Sequence, residues 1–287
     1  MLQTTSQTFF VVVFLASAIA GLLGALVGLG GGVFVVPLLT LVFGLPIHDA
    51  IGASIVAVIA TSSGAAAAYV REHLTNLRMG MVLEIGTTLG ALTGAYLAVI
   101  APAGLLFLLF GLVLLGSALP LVMTVGEDQP QGVVDDRWST RLSLASAYPD
   151  RQLGHDVPYA VTRVPLGMGL MYLAGAISGL LGIGSGPFKV LALDTAMRVP
   201  MKVATTTSNF MIGVTAAASA GIYFARGDIH PLLAAPVALG VLAGATIGAR
   251  LLTLLSTRTL KTLFVIILVA FAVEMLLRGV SILWFRG

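Results

Sequence analysis

The chain has 287 residues, of which 58% are hydrophobic and only 9% charged, at a mean hydropathy of +1.04. A water-soluble globule carries about a quarter charged residues, so the composition excludes one, and soluble catalysis with it; what remains is an all-α polytopic membrane protein, each span needing about 20 apolar residues. The net charge of +3 lies mostly in short loops, where it reports orientation and not nucleic-acid binding, and with no cysteine there are no disulfides, thiolate metal sites or thiol relays.

In chain order, apolar windows broken by charge or Gly/Pro punctuation predict membrane segments at 8–28, 33–47, 50–70, 79–100 and 104–123. No Lys or Arg precedes the stretch from Phe9 to Ala20, so it is expected to be a retained first helix and not a signal peptide. Thr124 to Arg163 is polar, with Asp128, Pro130, Asp135, Asp136, Arg137 and Arg141 among its residues. Further segments are predicted at 164–182, 186–198, 202–225, 231–252 and 260–284. The expected organisation is a first transmembrane repeat over 1–123, a linker over 124–163 and a second repeat over 164–287.

The duplication is visible in the residues. Gly28-Leu29-Gly30-Gly31-Gly32-Val33-Phe34 returns as Gly182-Ile183-Gly184-Ser185-Gly186-Pro187-Phe188, an offset of 182 − 28 = 154. Held without a gap from Ala20 to Phe110, that offset gives roughly two dozen identities in about ninety pairs, where composition alone gives about eight. Pro46/Pro200, Ser54/Ser208, Thr61/Thr215, Tyr69/Tyr223, Gly86/Gly240, Gly90/Gly244 and Gly94/Gly248 are among them.

Topology follows from the basic residues. If the short second segment of each half crosses, the halves are inverted, and Arg71, Arg78, Arg137, Arg141, Arg151, Arg163, Arg198, Lys202, Arg250, Arg258 and Lys261 fall on one side against Arg226, Arg278 and Arg286. If it re-enters, the split weakens. The positive-inside rule favours two inverted repeats of about five segments each, with the linker cytoplasmic and both termini outside.

Glycines spaced by four, Gly86, Gly90 and Gly94 with Gly240, Gly244 and Gly248, read as helix-packing faces. Consecutive glycines instead break a helix, and paired Gly-interrupted short segments mark the binding site of repeat transporters. Gly30, Gly31 and Gly32 with Gly184, Ser185 and Gly186 are therefore candidate substrate contacts, with structural hinges as the alternative; the segment after each run opens with free N–H groups suited to an anion. Lys189 stands in the second short segment where the first copy has Val35, either as the cation for an anionic substrate or as a partner of Asp194. Thr206, Thr207, Ser208 and Asn209, with Ser54 in the first half, either hydrogen-bond the substrate or cap their helices. Glu274 and Arg278, four residues apart, are expected to pair on the last helix. The histidines have no metal-site spacing, and neither a metal nor a cofactor is expected.

Two glycine runs each followed by an aromatic, the Pro46 and Pro200 turns, the small-hydroxyl helix starts and the glycine-spaced helices together resemble the TauE/SafE family of sulfite exporters, also called the TSUP family. The likeness covers nearly the whole chain except the linker, and departs from the usual motif at Ser185, Pro187, Lys189 and Leu191. It implies a secondary transporter in the inner (plasma) membrane, exporting sulfite, sulfoacetate or other organosulfonates by alternating access. An anion channel or a carboxylate transporter is the alternative. A serine hydrolase using Ser185 lacks a supporting base. The expected partners are a small anion and the lipid bilayer, and a homo-oligomer stays open.

Overall fold

A computed structural model describes residues 2–27, 31–71, 74–122, 132–150, 154–251 and 257–284. Gly28 and Gly30, from the first glycine run, lie outside the described residues. The first half holds α1 (Leu2–Val27), α2 (Gly32–Pro37, running on into a π-helical turn Leu38–Val42), α3 (Ile47–Arg71), α4 (Leu77–Ile100) and α5 (Ala103–Val122). The second holds α7 (Val164–Leu181), α8 (Gly186–Leu191, running on into the π-helical turn Ala192–Ala196), α9 (Met201–Arg226), α10 (Pro231–Leu251) and α11 (Thr257–Trp284). Between them lie α6 (Arg137–Leu142) and an antiparallel hairpin of β1 (Ser146–Asp150) and β2 (His155–Tyr159).

Among the described residues, five helices are long and apolar enough to cross a bilayer: Leu77–Ile100, Val164–Leu181, Met201–Arg226, Pro231–Gly248 and Val265–Trp284. Thr8–Gly24, Gly32–Val42, Ile47–Ser63 and Ala103–Ala118 are shorter apolar helices. Side chains such as Ile85, Leu89 and Ile100 on α4 and Leu239 and Ile247 on α10 stand exposed, an arrangement that only a lipid solvent makes favourable.

The helices pack across the halves. α1 lies against α10, α4 against α7, α5 against α11 and α3 against α9, with α10 also on α3 and α4 also on α9. Under the 154-residue correspondence each of these pairings becomes itself or its counterpart with the halves exchanged. Small residues make the closest approaches possible: a Cβ on Gly90 or Gly94 would fall on the carbonyl oxygens of Tyr172 or Ala176 in α7, and one on Gly240 or Gly244 on those of Phe14 or Ala18 in α1. These glycines are packing positions, as their spacing predicts.

Both short helices widen into a π turn at the same place, closed by Phe43 N–H to the Leu38 carbonyl at 3.4 Å and by Met197 N–H to that of Ala192 at 3.1 Å. Pro37 interrupts the first and Leu191 stands at the equivalent point of the second, so proline is not the cause.

The described parts of the linker, 132–150 and 154–163, are more ordered than their polarity suggests. Asp136 caps α6 through Ser139 N–H at 2.6 Å and accepts from Val164 N–H at 2.8 Å, tying α6 to the start of α7. The hairpin's Tyr159 hydroxyl accepts from Asn76 Nδ2 at 2.8 Å, and Lys202 Nζ sits 5.9 Å above the Tyr148 ring.

Candidate functional site

The second glycine run is a buried break whose backbone dictates its residues. Gly182 (φ +67°) and Gly184 (φ +76°) occupy the left-handed region that favours glycine, and a side chain on Gly182 would meet the carbonyl of Ile51 at 2.9 Å. Ser185 precedes α8 in the same region at φ 45°, a strained setting for a residue with a Cβ. Its hydroxyl is fully buried and has no hydrogen-bond partner. The equivalent Gly31 has ordinary helical geometry at φ −63°, and a Cβ there would strike Val241. No positive φ accounts for Gly31; close packing against α10 does.

Hydroxyls one helix away hold both breaks. Ser54 Oγ donates to the Gly182 carbonyl at 2.8 Å, with Gly32 O at 3.3 Å, so α3 bridges the two runs. Ser208 Oγ makes the equivalent contact to Gly186 O at 3.3 Å. The single proton of Ser54 is thereby committed to backbone. Tyr223 caps the end of α7 through Gly179 O at 2.8 Å.

The sequence cluster divides on folding. Ser208 faces the break, but Thr206 Oγ1 donates to Leu74 O at 2.8 Å and Thr207 Oγ1 accepts from Asn76 N–H at 3.1 Å, fastening the α3–α4 connection to α9. The Asn209 carbonyl accepts from Ser62 Oγ at 2.5 Å. Thr206 and Thr207 thus serve helix-to-loop contacts away from the glycines.

Lys189 stands one turn into α8, its N–H bonded to the Ser185 carbonyl at 3.2 Å, and its side chain is completely buried. It turns to Thr215, not to Asp194: Nζ donates to Thr215 Oγ1 at 2.6 Å, and Thr215 Oγ1 lies 2.7 Å from Glu84 Oε1 on α4. Thr215 Oγ1 is also 2.7 Å from the Met211 carbonyl. Thr88 Oγ1 donates to Glu84 Oε1 at 3.3 Å, while Oε2 is buried without a partner. A cation and a carboxylate joined by one hydroxyl thus sit among α4, α8 and α9, beside the break.

Glu84 is the residue that sequence reasoning missed. Its signal was the one applied to Lys189, an ionisable group within an apolar segment. Both lack counterparts under the 154 offset, where Val35 and Ala238 stand. The expected Glu274–Arg278 pair does not form either: Arg278 Nη1 donates to Thr40 O at 2.7 Å, at the end of the first short helix. Carbonyls at a helix C-terminus attract a cation as a carboxylate does.

The family model for the sulfite exporter TauE/SafE matches residues 13–275. The probable membrane transporter protein YdhB of Bacillus subtilis is 30% identical over 253 residues, covering 88% of this chain and 92% of that protein. The probable membrane transporter protein YunE of the same organism is 25% identical over 278 residues, covering 94% and 98%. A probable membrane transporter protein of Sinorhizobium is 26% identical over 263 residues, covering 92% and 90%. No solved structure matches the chain.

Proposed function

The chain belongs to the sulfite exporter TauE/SafE family of membrane transporters, and from that premise we propose that it exports a small organosulfur anion such as sulfite, sulfoacetate or another organosulfonate. The site is the space at the glycine breaks between two inverted repeats, 1–123 and 164–287, opened alternately to either side, with the linker 124–163 cytoplasmic. The observation that carries the proposal is the fully buried Lys189 one turn beyond the second break. An ammonium inside an apolar bundle is costly unless it meets negative charge, and the neighbouring unpartnered Ser185 hydroxyl offers a further donor for a sulfonate or sulfite oxygen. Gly184, Ser185 and Gly186 supply the adjoining backbone, and Ser54 and Ser208 hold its shape. Irregular backbone at membrane depth is tolerated where it is buried or lines a cavity.

The test is a thermal-shift screen of purified protein against sulfite, sulfoacetate, taurine, sulfolactate and matched carboxylates, followed by counterflow in proteoliposomes. A sulfonate should stabilise the wild type. Lys189→Gln, which retains a donor for Thr215, should lose that stabilisation. An equal response from Lys189→Gln would move the site elsewhere, and ionic conductance in place of saturable counterflow would make the protein a channel. Reporter fusions after Met123 and after Gly287 should report opposite compartments; the same compartment for both would remove the inverted arrangement.

A further inference from the structure

We infer that Glu84 is a proton-binding site that shares Lys189 with the transported anion, so that the carrier moves one proton together with each anion. The inference rests on the anion-carrier function proposed above and adds the coupling to it.

The geometry of Thr215 points there. Its hydroxyl has one proton and two acceptors at equal distance, Glu84 Oε1 and the Met211 carbonyl, each at 2.7 Å, while it accepts from Lys189 Nζ at 2.6 Å. With Glu84 ionised, the hydroxyl donates to Oε1 and the Lys189 charge is balanced through it. When a proton adds to the unpartnered Oε2, the carboxylate becomes a neutral acid, the Thr215 hydroxyl can turn to Met211, and the ammonium is left without a counter-charge. An anion then supplies that charge. On the far side the anion leaves, the Oε2–H bond breaks, the proton departs to solvent, and Glu84 again balances Lys189. Lys189 keeps its own proton throughout, so the bookkeeping is one proton and one anion per passage.

Among the described residues, the helices around this pair bring no other charged group up to it. On α4 the other ionised residue is Arg78, six residues from Glu84; α7 carries only the phenol of Tyr172. On α9 the charged residues are Lys202 and Arg226, at its two ends, about 20 Å and 17 Å along the axis from Thr215, with the Tyr223 phenol on the α7 carbonyls. Asp194, in the π turn after α8, is half-buried and not joined to Lys189.

A purely structural role is argued against by the other half. Val35, Thr61 and Ala238 occupy the equivalent positions, and Thr61 Oγ1 simply bonds back to Ala57 O at 3.0 Å. The same packing therefore stands without an ion pair, whereas buried charges are costly wherever apolar residues would serve.

The experiment uses the full chain in proteoliposomes, with sulfoacetate, both of whose acid groups stay ionised near neutral pH, and a trapped pH dye. In the wild type, sulfoacetate flux should carry about one proton per anion and respond to an imposed pH gradient; this measurement needs no variant. Glu84→Gln should keep sulfoacetate counterflow but lose proton movement and the gradient response, and Glu84→Asp should restore part of both. Wild-type flux without proton movement, or gradient-driven flux undiminished in Glu84→Gln, overturns the coupling and leaves the carrier standing. Absence of saturable flux for both sulfoacetate and sulfite removes the carrier and the coupling with it.

Discussion

The two glycine breaks make an instructive pair. Both open a short helix, both helices widen into a π turn, and both are held by an equivalent serine, Ser54 on Gly32 O and Ser208 on Gly186 O. Yet Gly31 is an ordinary helical residue packed on Val241, while Ser185 is left-handed and carries an unpartnered hydroxyl. The first short helix has Val35 where the second has Lys189, and the polar triad forms on one side only. The two halves share the packing, and the Lys189–Thr215–Glu84 triad stands in one of the two equivalent settings. The scaffold is thus separable from the candidate site.

The comparison breaks most visibly at the charge. Lys189→Met leaves the Glu84 carboxylate buried without a cation and should destabilise the protein by about 3–5 kcal/mol, the cost of halving a buried pair. Adding Glu84→Gln should recover most of it, and the matching Val35→Met should show no such recovery with Ala238→Gln. Melting in detergent reads all four; absence of recovery would separate the two residues.

Packing glycines should behave alike in both halves. Gly90→Ala and Gly244→Ala each drive a methyl into a backbone carbonyl, of Tyr172 and Ala18, and should each cost about 1–3 kcal/mol. Gly169→Ala, whose Cβ meets nothing within 4 Å, is the control. Widely different losses for Gly90 and Gly244 would end the equivalence of the α4–α7 and α1–α10 contacts.

The serines sharpen the comparison further. Ser54→Ala removes a 2.8 Å bond to Gly182 O as well as the contact to Gly32 O, and should cost about 1–2 kcal/mol; Ser208→Ala removes a 3.3 Å contact and should cost less. The reverse order in thermal melts would mean that Ser54 does not brace both breaks. Smallest and opposite in sign, Ser185→Gly should stabilise by about 1 kcal/mol, because glycine adopts the left-handed geometry without a Cβ clash, while weakening sulfonate-induced stabilisation. A lower melting temperature would show that the Ser185 hydroxyl has a structural partner.

Sequence by itself determined the helical segments, their duplication and the packing glycines, because apolar run length, glycine spacing and a fixed offset are local or periodic properties. The window at 79–100 falls two residues short of the start of Leu77–Ile100, and that at 186–198 runs two residues past the end of Gly186–Ala196. The linker hairpin was not legible: its strands carry Pro149 and Pro158, which weaken a strand signal, and they gain order by docking Tyr159 and Tyr148 near Asn76 and Lys202. Tertiary structure alone decided which polar residues meet at the candidate site. Within Thr206 to Asn209 only the folded helix distinguishes Ser208, on the break, from Thr206 and Thr207, on the α3–α4 connection, since successive helix residues point about 100° apart. The partner of Lys189 was likewise hidden, because Asp194 is five residues away in sequence whereas Glu84 is brought to it only when α4 of one half packs against α9 of the other.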